Sequence, residues 1–564
     1  APQGGSGTNC CALDVSGPRP GWSPAQIVAG FLLASTSFTH GTAIARQYLT
    51  PGASKSWSPG PAVTIVDQPP TVISQPSHES GLDGTVTVVA SGREIAKLSG
   101  SGQYKPVTRS GTARFVVTQV RGQWRIAQLP GPHVLLLPKG LFNLVYKPQN
   151  LYFYARSPAG HVLVPDPVFV PSDSTDPATR LVTALMNGIP EWLRGAASSA
   201  IPQQARLLGV QVLPGPPENK TAVVSLRLPP GTVRQATVRA LDAQLVWTLT
   251  SSSYGEPLVG SVKLKVNGHF WPASGSAVLG QSRYRDMVPE PAGAQNLYFV
   301  GADGRVRVLG QAVHGGNGNG TPVPGVAGQG QVPMSAIAVS PDRSRLAGVS
   351  ADGKTVYVSD LAAGAAPHAG ASATTPRPRI TGSRFTTPSW DQAGDLWVAG
   401  AGGIYVLPRG ATAPQRVSLP PGLGPVTALR IAPDGVRAAM IAGRGAAAHL
   451  VIAAIIRAAG QFAILDPVPV GPNVTAPSAL TWYDADHLLA ATGSPRAVQV
   501  WEVPVNGNGA VSQGAPQPGI VSIAAAGPDN PLYLGLASGR LERSAGFGEF
   551  WSDVSAGRAA TYPG

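Results

Sequence analysis

Between residues 176 and 190 apolar side chains fall at Leu181, Val182, Leu185, Met186 and Ile189, the spacing of a helix that buries one face. Asp176 stands where an N-cap belongs and Pro177 at the first helical position, while Gly188 and Pro190 stop the run. Extended runs precede it over 151–170, where HVLVPDPVFVP places prolines that belong on a sheet edge or bulge. Further on, the pattern predicts a strand over 223–228, a second helix carrying Leu241, Leu245 and Leu249, and a closing strand over 262–266 that runs into NGHFW. These elements make one α/β block in which apolar helix faces cover a sheet.

Upstream, Ser23 caps a helix that opens with Pro24 and turns Ile27, Phe31, Leu32, Ser35 and Phe38 to one side. A short helix over 43–49 stops at Pro51, and strand-like runs follow over 62–66, 85–90, 112–120 and 123–128, the last two joined as a hairpin around Gly122. Helices followed by a curved antiparallel sheet predict a small α+β cone, with Trp57 and Trp124 in its core rather than serving as ligand platforms.

From about residue 285 the pattern repeats. Turn anchors recur at Asp303-Gly304, Pro341-Asp342, Trp390-Asp391, Pro433-Asp434, Tyr483-Asp484 and Pro528-Asp529, at separations of 39, 49, 43, 50 and 45 residues. Each is followed by an apolar run such as RLAGVS or HLLAATG, often with a second strand after it. A period of that length with several strands per unit is the mark of a β-propeller, here of about six blades, with five or seven left open because the first unit is degenerate and an N-terminal strand is available to close the ring with the last one.

Length and composition fit this division. At 564 residues the chain exceeds a single core, and 43% hydrophobic residues with only 13% charged leave room for several. The 69 Gly and 56 Pro favour many short strands and tight turns. The expected organisation is a tether over 1–20, an α+β domain over 21–132, an α/β domain over 140–275 and an all-β propeller over 285–564. The net charge of +13 is spread, with no run of four Lys or Arg, which argues against a nucleic-acid groove and fits a diffuse attraction to anionic lipid or wall polymer. No apolar stretch is long enough to span a bilayer. The start at Ala1 without an initiator Met implies that an upstream segment preceded it. Cys10 and Cys11 are adjacent, too close for an easy disulfide or a zinc site, and are expected to be plain thiols in the tail.

One catalytic pattern is formally complete. Residues 348–355, GVSADGKT, match the phosphate-loop pattern, but the following VYVSDL alternates like a strand, so Ala351 to Lys354 are expected to form a hairpin turn. No G-x-S-x-G elbow occurs, and the nine His, among them His40, His133, His161, His314 and His487, never adopt helical zinc spacing. No catalytic, cofactor-binding or metal residue is therefore assigned, and no cofactor is expected. Three or more carboxylates or histidines meeting at the propeller channel would favour an enzyme instead.

Three resemblances gather these modules. The LVxxLMxG helix, the Ile201-Pro202 turn, QLVWTLT over 244–250 and VKLKVNG are similar to the germane (GerMN) domain of bacterial envelope proteins. FVVTQVRGQWRIAQLP is similar to the last strand pair of NTF2-like domains in exported lipoproteins. In this order, with PSWDQAGDLWV over 388–398 and APDGVRAAMI over 432–441, the chain resembles the LpqB-type lipoproteins of actinobacteria. The resemblance implies a non-enzymatic lipoprotein on the outer face of the cytoplasmic membrane. Its implied partner is the extracellular domain of a sensor histidine kinase, MtrB, acting with the regulator MtrA in wall homeostasis and division. Neither Cys10 nor Cys11 lies in a lipobox, so lipidation is expected upstream of Ala1. The alternative is a protein that binds peptidoglycan or an anionic wall polymer.

Overall fold

The computed structural model describes residues 15–36, 42–58, 60, 62–76, 84–158, 160, 162–172, 176–216, 219–251, 254–271, 278–288, 294–310, 319–361, 377–544 and 551–564. Cys10, Cys11, Phe38, His40, His161 and His314 lie outside them. The chain packs as two compact units, one of Ala1–Leu151, Pro167–Gly188 and Ile201–Gln281, the other of Tyr152–Asp166, Ile189–Ala200 and Ser282–Gly564.

The first unit begins with the helix Pro24–Ala34, held by a reciprocal capping box between Ser23 and Gln26. Its apolar side buries Ile27, Phe31 and Leu32 against Phe115, Val117 and Ile126 of a sheet. Trp57 is 1% exposed and meets Phe31 edge-on at 5.1 Å, while Trp124 packs half-buried against the same core. The sheet runs Gln123–Gln128, Tyr104–Val120, Thr85–Leu98, Val63–Val66 and Leu136–Pro138, with Thr71–Pro76 also paired to Thr85–Leu98. Arg121 and Gly122 both take positive φ, so a two-residue turn joins Val120 to Gln123. Pro51 does more than end a helix. Thr50 caps a new one, Pro51–Ser56, because proline at the first helical position loses no hydrogen bond.

In the same unit, Asp176 accepts the Thr179 amide at 3.0 Å and starts the helix Pro177–Met186, which buries Leu181, Val182 and Leu185. Thr221–Arg227 and Ser261–Val266 pair in parallel, and parallel pairing requires a crossover, supplied by Gln235–Thr250. That helix buries every residue from Leu241 to Thr250, so it is covered on all sides and not only along Leu241, Leu245 and Leu249. Asn267 and Gly268, both at positive φ, turn the chain into His269–Trp271.

Among the described residues the second unit holds a propeller of six four-stranded blades. Blade two is Met334–Val339, Arg345–Ser350, Thr355–Asp360 and Arg377–Thr381, and blade three is Ser389–Trp390, Leu396–Gly400, Gly403–Leu407 and Gln415–Arg416. Blade four is Val426–Ile431, Arg437–Ala442, His449–Ala458 and Gln461–Pro469, and blade five is Pro477–Trp482, His487–Ser494, Ala497–Pro504 and Val511–Gln517. Blade six runs Ile520–Ala524, Tyr533–Leu536 and Arg540–Ser544, and its outer strand is the first part of Trp551–Thr561. The last part of that strand pairs with Leu297–Gly301 and becomes the inner strand of blade one, outside which lie Val306–Leu309 and Thr321–Pro322. Each inner strand neighbours the next, and that of blade six neighbours 557–561, which in turn neighbours Met334–Val339.

Closure therefore uses a C-terminal strand, not the N-terminal one expected. The same fact explains the degenerate first repeat. Blade one enters the sequence at its second strand, so Asp303-Gly304 lies between second and third strands, whereas the other five anchors lie between first and second. Its true equivalent is Asp352-Gly353, which turns Arg345–Ser350 back into Thr355–Asp360 with Val349 opposite Val356. The GVSADGKT segment is thus a hairpin, with no helix after it to hold a phosphate.

Because 557–561 has no substitute, a chain truncated after residue 556 leaves blade one without an inner strand. Its propeller is expected to lose its cooperative thermal transition and its near-ultraviolet circular dichroism; a melt unchanged from full length would contradict the closure.

Candidate functional site

Four inner strands run into tight corners at one end of the channel. The amides of Ser340, Asp391, Ala432 and Tyr483 donate to the carbonyls of Arg345, Asp395, Arg437 and His487 at 2.8–3.1 Å, which puts the four corners in register. The anchor aspartates organise them from within. Asp342 accepts from the Ser340 and Ser344 hydroxyls at 2.6 and 2.7 Å, and Asp434 from the amides of Val436 and Arg437 at 2.9 and 3.1 Å. Asp484 accepts the amides of Asp486 and His487, both at 2.7 Å, and Asp391 accepts that of Asp395 at 2.9 Å. These are the local bonds for which Asp is favoured in turns.

Adjacent blades are fastened by a device that occurs twice. Arg345 of blade two lies over Trp390 of blade three, 4.5 Å from the ring centre, and donates to the Gly394 carbonyl at 2.7 Å. Trp390 donates back to Ala338 of blade two at 3.2 Å. Arg437 of blade four lies 5.1 Å over Trp482 of blade five and donates to Ala485 at 2.7 Å, and Trp482 donates back to Arg430 of blade four at 3.2 Å. Arg345 and Arg437 are 92 residues apart, as are Trp390 and Trp482, so the fastening repeats every two blades. Between blades three and four the link is different. Arg457 donates to Asp391 at 2.5 Å and to Gly435 at 2.6 Å, and Asp391 also accepts the Trp397 indole at 2.9 Å. Periodic anchors pointed to the corners; the Arg and Trp that clamp them emerge only when blades two and three are aligned on four and five.

The corners surround a cavity of about 500 Å³ lined by Asp342, Arg343, Trp390, Asp391, Arg409, Arg430, Trp482, Asp484 and Tyr562, among others. Three carboxylates thus share the channel mouth, the arrangement that would favour an enzyme. Each is already engaged. Burial would raise the Asp342 carboxyl, but the hydroxyls of Ser340 and Ser344, the Ser344 amide and the Arg345 charge outweigh it and hold the pKa at about 2. Asp391 is tied to Arg457, and Asp484 meets the His487 ring at 3.0 Å. Burial of His487 would lower its pKa, yet Asp484, Asp486 and Glu502 raise it overall. A carboxyl held this low carries no proton to donate near neutrality. Among the described residues no three His, Cys, Asp or Glu are placed to hold a metal.

Arg430 is not engaged in this way. Its Nη1 donates to the carbonyls of Thr387 and Leu429 at 3.2 and 3.0 Å, and among the described residues no carboxylate pairs with it. Burial pushes its pKa down to about 10, so it is still a cation at neutral pH. The first unit has a smaller concavity of about 210 Å³, walled by the apolar residues Leu32, Leu33, Pro69, Val72, Leu136 and Leu141.

A helix-backed antiparallel sheet, an α/β module and a propeller in one chain define a multidomain protein of three unlike modules. The chain matches the families described as the LpqB N-terminal domain over residues 17–142, Germane (sporulation and spore germination) over 150–270, and the LpqB β-propeller domain over 310–563. It is 32% identical to lipoprotein LpqB of Streptomyces avermitilis over 97% of this chain and 91% of that protein. The LpqB proteins of Thermobifida fusca, 28% identical, and Mycobacterium bovis, 25% identical, each align with 97% of this chain and 92% of their own length. It is also similar to TolB from Acinetobacter baumannii, 13% identical over 63% of this chain and 99% of that one, at a TM-score of 0.35. The chain belongs to the LpqB lipoprotein family, a family of lipid-anchored envelope proteins.

Two outcomes follow from the corner chemistry. Arg437 and Asp434 are 0% and 2% exposed and 2.6 Å apart, so Arg437→Met, which strands a buried carboxylate, is expected to cost about 3–5 kcal/mol. Asp434→Asn in the same chain keeps the turn acceptor without the charge and should restore part of that loss in urea melts; no restoration would contradict the pair's role. Asp342 titrates below its ordinary range when folded, so its contribution is present above pH about 4 and lost as pH falls through about 2. The melting-temperature gap between wild type and Asp342→Ala should accordingly be flat from neutrality to pH about 5 and close by about 2.

Proposed function

We propose that the chain is a non-enzymatic accessory lipoprotein, carried on the outer face of the cytoplasmic membrane, that modulates a sensor histidine kinase of the MtrA/MtrB type in wall homeostasis and division. The observation that carries this reading is alignment with an LpqB relative over 97% of the chain, through all three modules. Consistent with it, the carboxylates at the channel mouth are spent on turns and clamps, and no helix of the described chain is long and apolar enough to cross a membrane by itself. A protein with such a build acts by contact. Crosslinking in intact cells, followed by purification of this chain, should recover the kinase through its extracellular domain; recovery equal to that from cells lacking the chain would contradict the proposal.

The net charge of +13 favours a second reading, in which the protein holds peptidoglycan or an anionic wall polymer. Sedimentation with purified wall material separates the two. A kinase modulator stays in the supernatant at about 0.15 M salt, whereas a wall binder pellets and is released as salt rises.

A further inference from the structure

Among the described residues the channel mouth holds a half-buried cation without a counter-ion, and this points to a ligand independently of the kinase reading. Arg430, on the inner strand of blade four, lines the cavity of about 500 Å³. Both of its protein hydrogen bonds are made by Nη1, to Thr387 and Leu429, which leaves the Nε–Nη2 edge uncommitted. Arg430 is half-buried, and that edge is the two-donor fork that matches a carboxylate. Arg343 and Arg409, exposed on the same lining, have no side-chain carboxylate partner among the described residues either. The carboxylates around them are taken: Asp391 by Arg457, Asp484 by His487, and Asp342 by two serine hydroxyls.

We propose that the propeller channel binds a monocarboxylate borne on a short peptide-like body, with the carboxylate seated on the Nε–Nη2 edge of Arg430. The walls suit such a body. Pro341 and Pro433, both half-buried, offer apolar surface. A monoanion is preferred to a phosphate dianion because Asp342, Asp391 and Asp484 line the same cavity and would repel the second charge. The cavity has room for a few residues of extended chain and excludes a folded partner. Arg343 and Arg409 at the rim draw the anion inward.

The test uses the full chain and N-acetyl-trialanine as the probe, with its C-terminal amide and inorganic phosphate as comparison arms, in calorimetric titration. The acid is expected to bind at one site, and the amide, which lacks the charge, at least about tenfold more weakly. Arg430→Gln should bring the acid down to the level of the amide, and Arg430→Lys, which keeps the charge but loses the fork, should fall between. The acid-to-amide contrast is read on the wild type, so it holds even if a variant folds poorly. Equal binding of acid and amide, no binding of the acid at about 10 mM, full affinity in folded Arg430→Gln, or phosphate displacing the acid at equal concentration would each overturn the proposal.

Discussion

A propeller is a ring of separate sheets, and a ring is only as strong as its weakest joint. Here the joint is covalent in origin. A single strand, Trp551–Thr561, is the outer edge of the last blade and then the inner edge of the first, so it stitches the two ends of the domain through backbone hydrogen bonds. Without that strand two sheet edges would be open, and open edges invite pairing with other chains. The Arg–Trp clamps between blades two and three, and four and five, presuppose this closure. Each clamp needs an arginine of one blade to lie at 4.5–5.1 Å over an indole of the next while reaching a turn carbonyl, which fixes the angle between blades.

That constraint also shapes the candidate site. Inner strands held in register bring their corners to one rim, and corners made of Asp put charge there. Local turn bonds and arginine clamps consume the negative charge, while Arg430, on an inner strand and not in a corner, lines the cavity without a carboxylate partner among the described residues. The chemistry available at the mouth is therefore recognition of an anion by a fixed cation, and the acids nearby are scaffolding. This agrees with a family that is defined by its modules and lipid anchor.

Much of the fold was legible in the sequence because helix caps and two-residue turns are local. Asp176 with Pro177, Ser23 with Gln26, and Asn267 with Gly268 each specify a backbone conformation within a few residues. Repeat spacing likewise exposed the blades. Three features were not legible, each for a non-local reason. Pro51 reads equally as a stop or a start, and only the Thr50 cap decides. The first anchor reads in step with the rest, because nothing near Asp303 reveals that its blade's inner strand lies some 250 residues downstream. Arg430 gave no signal at all, since an arginine in a strand is ordinary until its neighbours prove to hold no carboxylate.

The central claim is that the chain's last strand closes the ring, and hydrogen exchange on the full-length protein tests it most directly. Amides of residues 557–561 should exchange as slowly as those of the inner strand Ile520–Ala524, opening only with the whole propeller. Exchange of 557–561 at the rate of a free chain end, while Ile520–Ala524 stays protected, would contradict it.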